Sequence, residues 1–120
     1  MHEMGLARQL AAASVEQANG RGLSKIGLVR VEIGPLAVID VDELPECFEA
    51  AAQGTIAQGA ALEIKRLPLE AVCANCGERV APDTRAGALG SCPKCAGRLE
   101  IPPLPDWRVV SVQMATDRVA

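Results

Sequence analysis

The sequence predicts an α+β fold: two helices packed on a small three-stranded sheet, with a cysteine-rich lobe inserted between the last two strands. Three observations predict it. Apolar residues recur at helical spacing in two segments and alternate at strand spacing in three others. Four of the five cysteines crowd into one stretch bounded by prolines. A chain of 120 residues, 49% of them hydrophobic, suffices for one modest domain with a small satellite.

The first helix is expected over residues 4–19, a segment free of Gly and Pro apart from Gly5. Leu6, Leu10 and Ala13 recur on one face, Arg8, Gln9 and Glu16 lie on others, and Gly20 and Gly22 stop it. Residues 25–33 read as a strand, because Val29, Val31 and Ile33 alternate with Arg30 and Glu32 before Gly34-Pro35. The second helix is placed at 41–53 and closed by Gly54. At its start either Asp40 and Glu43 form a capping box, or Asp42 caps and Pro45 sits in the first turn. Cys47, beside Phe48, reads there as a small buried hydrophobe. The second strand is expected at 61–67 with Leu62 and Ile64 on one face, and the third at 107–114 with Val110, Val112 and Met114 on one face.

Between those last two strands lies the insert. Pro102-Pro103-Leu104-Pro105 forms a stiff exit, and the flanking strands are expected to release the insert's two ends side by side from one sheet. The chain therefore divides into one domain of residues 1–67 plus 106–120 and a second of residues 68–105.

Composition narrows the function. A formal net charge of −3, from 12 Lys+Arg against 15 Asp+Glu, argues against phosphate neutralisation. Phe48 and Trp107 are the only large aromatic rings, so stacking platforms for single strands are scarce. No apolar run approaches the about 18 residues a membrane span needs. The opening Met1-His2-Glu3 has neither a basic nor an apolar signal region, so a cytoplasmic location is the default. In a reducing compartment, clustered cysteines serve metal more readily than disulfides.

Cys73-Ala74-Asn75-Cys76 is followed fifteen residues later by Cys92-Pro93-Lys94-Cys95. A two-residue gap lets both thiolates of a pair reach one ion, and two pairs complete a tetrahedron around Zn(II). Such a closed site is structural, and the lobe reads as zinc-ribbon-like. With little core of its own, the lobe would draw much of its folding free energy from the metal. Gly77 and Gly97 follow the pairs, where a bend aims N–H groups at sulfur. Two disulfides, an iron–sulfur cluster and a redox dithiol of Cys73 and Cys76 are the alternatives.

The single histidine is His2. As a polar residue near a chain end it needs no role. Yet the Met1 amine, the His2 backbone nitrogen and its imidazole can chelate one ion in fused rings, and a bulky second residue protects Met1 from removal. Planar nitrogen donors suit Ni(II) or Cu(II). Glu3 offers an oxygen, or else complements the helix dipole.

Met1-His2-Glu3 opening an amphipathic helix, Val31-Glu32-Ile33-Gly34 ending a strand and the two cysteine pairs together resemble the HypA/HybF family of hydrogenase nickel-incorporation proteins. The resemblance runs over essentially the whole chain. It implies nickel bound through His2, with Met1 and Glu3 supplying main-chain or side-chain atoms. It adds Asp40 as the carboxylate some members carry just before the second helix, a role in parallel with helix capping. It places structural zinc on Cys73, Cys76, Cys92 and Cys95. Many members carry Ser where this chain has Ala37, a departure that touches local hydrogen bonding and leaves the metal ligands intact.

The implied function is a nickel metallochaperone, not an enzyme, that delivers Ni(II) to the large subunit of a [NiFe] hydrogenase. A nickel-binding maturation GTPase is the implied partner, with urease maturation factors in some organisms, and neither nucleic acid nor membrane is involved. An exposed edge of so small a sheet also offers a route to a homodimer. The competing reading is a zinc-ribbon interaction module for nucleic acid or a protein partner, with His2 incidental.

Overall fold

A computed structural model describes residues 2–82 and 90–115, His2 by its backbone alone. Helix α1 (His2–Gly20) buries Leu6, Ala7, Leu10, Ala11, Ser14 and Ala18. Those positions step by three and four and so form one stripe. Ser14 is fully buried, and its hydroxyl donates to the Leu10 carbonyl at 2.7 Å, which meets the need of a buried polar group. The helix stops where Gly22 N–H donates to the Asn19 carbonyl and Leu23 N–H to the Ala18 carbonyl.

Strand β1 (Ile26–Ile33) turns Val29, Val31 and Ile33 into the core, as its alternation predicts. Helix α2 (Leu44–Ala52) is shorter than predicted and buries Leu44, Phe48 and Ala52. Neither expected cap forms. Asp40 Oδ1 accepts the Asp42 N–H at 2.9 Å and holds a turn ahead of the helix. Glu43 then occupies the cap position with no side-chain bond, and Pro45 lies in the first turn. Cys47 is half-buried against the core rather than enclosed by it.

Strand β2 (Ala61–Arg66) pairs parallel to β1, with Leu62 and Ile64 partly buried on one face. The chain then enters a second sheet of β3 (Ala71–Cys73), β4 (Arg79–Val80) and β5 (Leu99–Glu100), ordered β4-β3-β5. It returns as β6 (Trp107–Met114), antiparallel to β1. The larger sheet is ordered β2-β1-β6, so β1 separates the two strands that flank the insert. The insert's ends are therefore not side by side. Arg66 and Trp107 both register with Ile33, which puts them at one end of the sheet, about 10 Å apart across two strand spacings.

The inward face of β6 also differs from the expected one. Val109 and Val112 are buried, whereas Val110 and Met114 are 42% and 54% exposed. The pairing steps from Arg30 with Ser111 to Val31 with Val109, which leaves Val110 as the extra residue of a bulge. One extra residue reverses the side-chain alternation across it and turns Val109 inward in place of Val110, and a second shift, between Ile26 and Leu28, lies opposite Met114. On the outer edge of β6, Gln17 donates to the Val109 carbonyl at 3.1 Å and Arg21 to the Val112 carbonyl at 2.6 Å. Two groups of that edge are thus occupied from α1.

Both helices and the inner face of the β2-β1-β6 sheet share one hydrophobic cluster. Ala71, Cys73, Cys92 and Leu99 form a second, small one, flanked by Val80 and Ile101. The returning chain crosses the end of β1 at Gly34, whose N–H donates to the Asp106 carbonyl at 2.8 Å. A Cβ there would stand 2.6 Å from the Pro105 carbonyl oxygen, so only glycine allows this approach. Among the described residues, no helix is long and apolar enough to cross a membrane.

Candidate metal centres

The four cysteines of the insert converge. Their sulfurs all lie within 4.8 Å of one another, and among the described residues no other group of three or more His, Cys, Asp or Glu does so. Cys73 Sγ is 3.4 Å from Cys95 Sγ, and Cys76 Sγ is 3.6 Å from Cys92 Sγ. A tetrahedron with metal–sulfur bonds of ~2.3 Å has edges of about 3.8 Å. The cluster therefore has the size and the all-sulfur donor set of a closed four-thiolate centre, and each cysteine is free rather than disulfide-bonded.

Each pair sits in a tight turn. Gly77 N–H donates to the Cys73 carbonyl at 3.0 Å, and Ala96 N–H donates to the Cys92 carbonyl at 2.8 Å. Gly77 and Ala96 are the matching left-handed residues, with φ of 76° and 59°. Sequence reading assigned the second bend to Gly97. Its actual role is space: a Cβ at Gly97 would lie 3.0 Å from the sulfurs of both Cys73 and Cys95.

Backbone and side-chain donors surround the sulfurs. Asn75 and Cys76 N–H groups point to Cys73 Sγ, each at 3.4 Å, and the Asn75 side-chain amide reaches Cys95 Sγ at 3.5 Å. The Asn75 amide, followed by Gly97 N–H, brings the Cys95 thiol down to about 6. At Cys76 a Glu78 N–H favours the thiolate. Sharing with Cys92, loss of hydration and the other thiols outweigh it and push Cys76 up to about 12. Lys94 Nζ meets Glu78 Oε2 at 2.7 Å and ties the two turns together, and this hydrogen bond also raises the pKa of Lys94.

The second candidate centre is the start of α1. Met1 and the His2 side chain lie outside the described residues. Glu3 and Asp40 are brought together across 37 positions: Glu3 Oε2 accepts the Asp40 backbone N–H at 3.1 Å. The loop after β1 returns Asp40 to the first turn of α1, and both residues border one surface cleft with Arg66. Arg66 was not singled out from sequence. Its Nη2 donates to the Ala37 carbonyl at 2.5 Å and its Nη1 to the Ile39 carbonyl at 3.3 Å.

Comparison with known proteins gives consistent results. The model of the family described as HypA, hydrogenase/urease nickel incorporation, metallochaperone, matches residues 1–113. The chain is 38% identical over 115 residues to the hydrogenase maturation factor HypA of Azotobacter chroococcum, covering 95% of this chain and 99% of that protein. It is 34% identical over 116 residues to the factor of the same name from Aeromonas salmonicida, covering 96% and 100%. The solution structure of the Ni metallochaperone HypA from Helicobacter pylori superposes with a TM-score of 0.64 at 25% identity, covering 96% of this chain and 98% of that one. A further solution structure of a HypA protein gives 0.69 at 26% identity, covering 96% and 97%. The chain belongs to the HypA family of hydrogenase/urease nickel-incorporation metallochaperones.

Proposed function

We propose that this chain carries Ni(II) at the start of α1, on Met1, His2, Glu3 and Asp40, for delivery to the large subunit of a [NiFe] hydrogenase. Cys73, Cys76, Cys92 and Cys95 hold a structural Zn(II). The observation that supports the nickel site is the Glu3–Asp40 hydrogen bond, which gathers two carboxylate residues at the first turn of α1. Asp40 Oδ1 accepts the Asp42 N–H, which holds the carboxylate in place. Nitrogen donors from the amine and imidazole with carboxylate oxygens form a set that Ni(II) accepts.

Delivery requires release. A site of few ligands opens more easily than a closed cage, so modest affinity is a working property. The four-thiolate centre has no open position and does not exchange its ion during delivery. The two hydrophobic clusters support a division into a nickel-binding domain of residues 1–67 plus 106–120 and a zinc-binding domain of residues 68–105. No substrate is transformed, so the protein acts as a carrier and not as an enzyme, in the cytoplasm. Its partners are a nickel-binding maturation GTPase, the hydrogenase large subunit and urease maturation factors, with a homodimer as an additional state. The described cations of the zinc lobe, Arg79, Lys94 and Arg98, each face a carboxylate, on Glu70, Glu78 and Glu100. That pairing disfavours a nucleic-acid surface.

The test uses three zinc-loaded forms: the native chain, the chain with extra residues ahead of Met1, and His2→Ala. The native form binds one Ni(II) per chain, and both altered forms lose that site while keeping zinc. Equal nickel binding by all three would overturn the assignment.

A further inference from the structure

We propose that Arg66 is a positioning residue for nickel binding: its guanidinium fork holds the loop that presents Asp40 to Glu3. This rests on the nickel site described above and extends it to a residue that touches no metal.

The topology sets it up. β1 and β2 run parallel, so their C-terminal ends lie side by side, with Arg66 in register with Ile33. The bond from Leu67 N–H to the Ile33 carbonyl at 2.9 Å fixes that end of β2. The loop leaving β1 therefore passes directly over Arg66. Along it the side chains alternate: Leu36 and Val38 point to solvent, 66% and 87% exposed, while Ala37 is buried and Ile39 partly so. Packing through one methyl group and one isoleucine anchors the loop weakly.

In such an alternating segment, the carbonyls of residues two apart face the same way. Those of Ala37 and Ile39 are the two that Arg66 takes, one with each terminal nitrogen. A planar fork suits this task, and a single ammonium does not. Asp40 follows immediately, with its N–H on Glu3 and its Oδ1 closing the turn into α2. Without the fork, Asp40 must be ordered at the moment nickel binds, and affinity falls by that ordering free energy.

A purely electrostatic role predicts the opposite sign. Arg66 borders the same cleft as Glu3 and Asp40, and removing a cation near a cation site strengthens binding. The experiment measures Ni(II) affinity by competition with a chromophoric chelator, on zinc-loaded protein with a native Met1 amine. The variants are Arg66→Ala, Arg66→Lys, Asp40→Ala, the double Arg66→Ala/Asp40→Ala, and His2→Ala.

Arg66→Ala weakens nickel binding roughly three- to tenfold, the scale of one or two lost hydrogen bonds. Arg66→Lys, which keeps the charge and loses the fork, weakens it as well. The double variant loses less than the two single losses added together, because the effect of Arg66 runs in part through the Asp40 carboxylate and in part through the Asp40 N–H on Glu3, which Asp40→Ala keeps. Tighter binding by Arg66→Ala, parental binding by Arg66→Lys, or additive losses in the double variant would each overturn the proposal. If Asp40→Ala weakens binding and Arg66→Ala does not, the positioning role fails while the site stands. If Asp40→Ala and His2→Ala both bind like the parent, the site itself fails and the proposal with it.

Discussion

Gly97→Ala isolates the geometry of the four-thiolate centre with a single methyl group. The added carbon would stand 3.0 Å from Cys73 Sγ, 3.0 Å from Cys95 Sγ and 3.1 Å from Asn75 Cβ. Optimal non-bonded separations are about 3.5–4.0 Å, so each neighbour must retreat by about 0.4 Å or more. The two sulfurs come from different cysteine pairs of the proposed zinc site, and Asn75 is the residue whose amide reaches Cys95. Neither sulfur can move without opening the tetrahedron. Overpacking of this kind costs about 1–3 kcal/mol, which corresponds to about 5- to 150-fold in metal affinity. The φ of Gly97 is not in the left-handed region, so backbone strain does not confound the result. The assay is zinc competition against a chromophoric chelator at fixed pH, with Gly5→Ala as a control whose new methyl meets nothing within 4 Å. Gly97→Ala binding zinc as tightly as the parent would refute the sulfur placement.

Ala96→Gly should do the reverse: an L-residue in the left-handed region costs about 1–2 kcal/mol, so relieving φ 59° should strengthen zinc retention by severalfold, read in the same assay. Zinc affinity should also depend on pH with a definite sign. With Cys76 at about 12 and Cys95 at about 6, the metal displaces a proton from Cys76 across the neutral range and from Cys95 only below pH 6. Apparent affinity therefore falls on acidification, by at least about tenfold per pH unit near neutrality and by at least about a hundredfold per unit below 6, and a flat profile in the competition assay would contradict the assignment. Nickel affinity should fall between pH 8 and pH 6 as well, because an imidazole and a terminal amine ordinarily titrate near about 6.5 and 7.7–8.0 and bind metal only when neutral. Equal nickel titrations at the two pH values would contradict it.

What could be read in the sequence follows from how local each signal is. Helix and strand periodicity, the stop at Gly34 and the cysteine spacing are properties of short segments, and the structure reproduces them. The face of β6 depended on a bulge at Val110, which is a relation between two strands and leaves no mark in either alone. The start of α2 turned on whether Asp40 caps a helix or closes a turn, and both use the same side chain on a nearby N–H. In the second cysteine turn, the visible glycine was credited with a bend that Ala96 makes, since sequence does not separate a glycine needed for φ from one needed for space. The grip of Arg66 on the loop after β1 joins residues 27 and 29 positions apart, and no pattern announces it. The Glu3–Asp40 contact spans 37 positions and was approached from sequence only through family resemblance.

If nickel binds at the start of α1, apart from the thiolates, its ligands are nitrogen and oxygen. X-ray absorption at the nickel edge, on native-terminus, zinc-loaded protein with one equivalent of Ni(II), tests it most directly. The expected shell is nitrogen and oxygen only, with imidazole scattering that disappears in His2→Ala. Sulfur in the nickel shell, or a spectrum unchanged by His2→Ala, would contradict it.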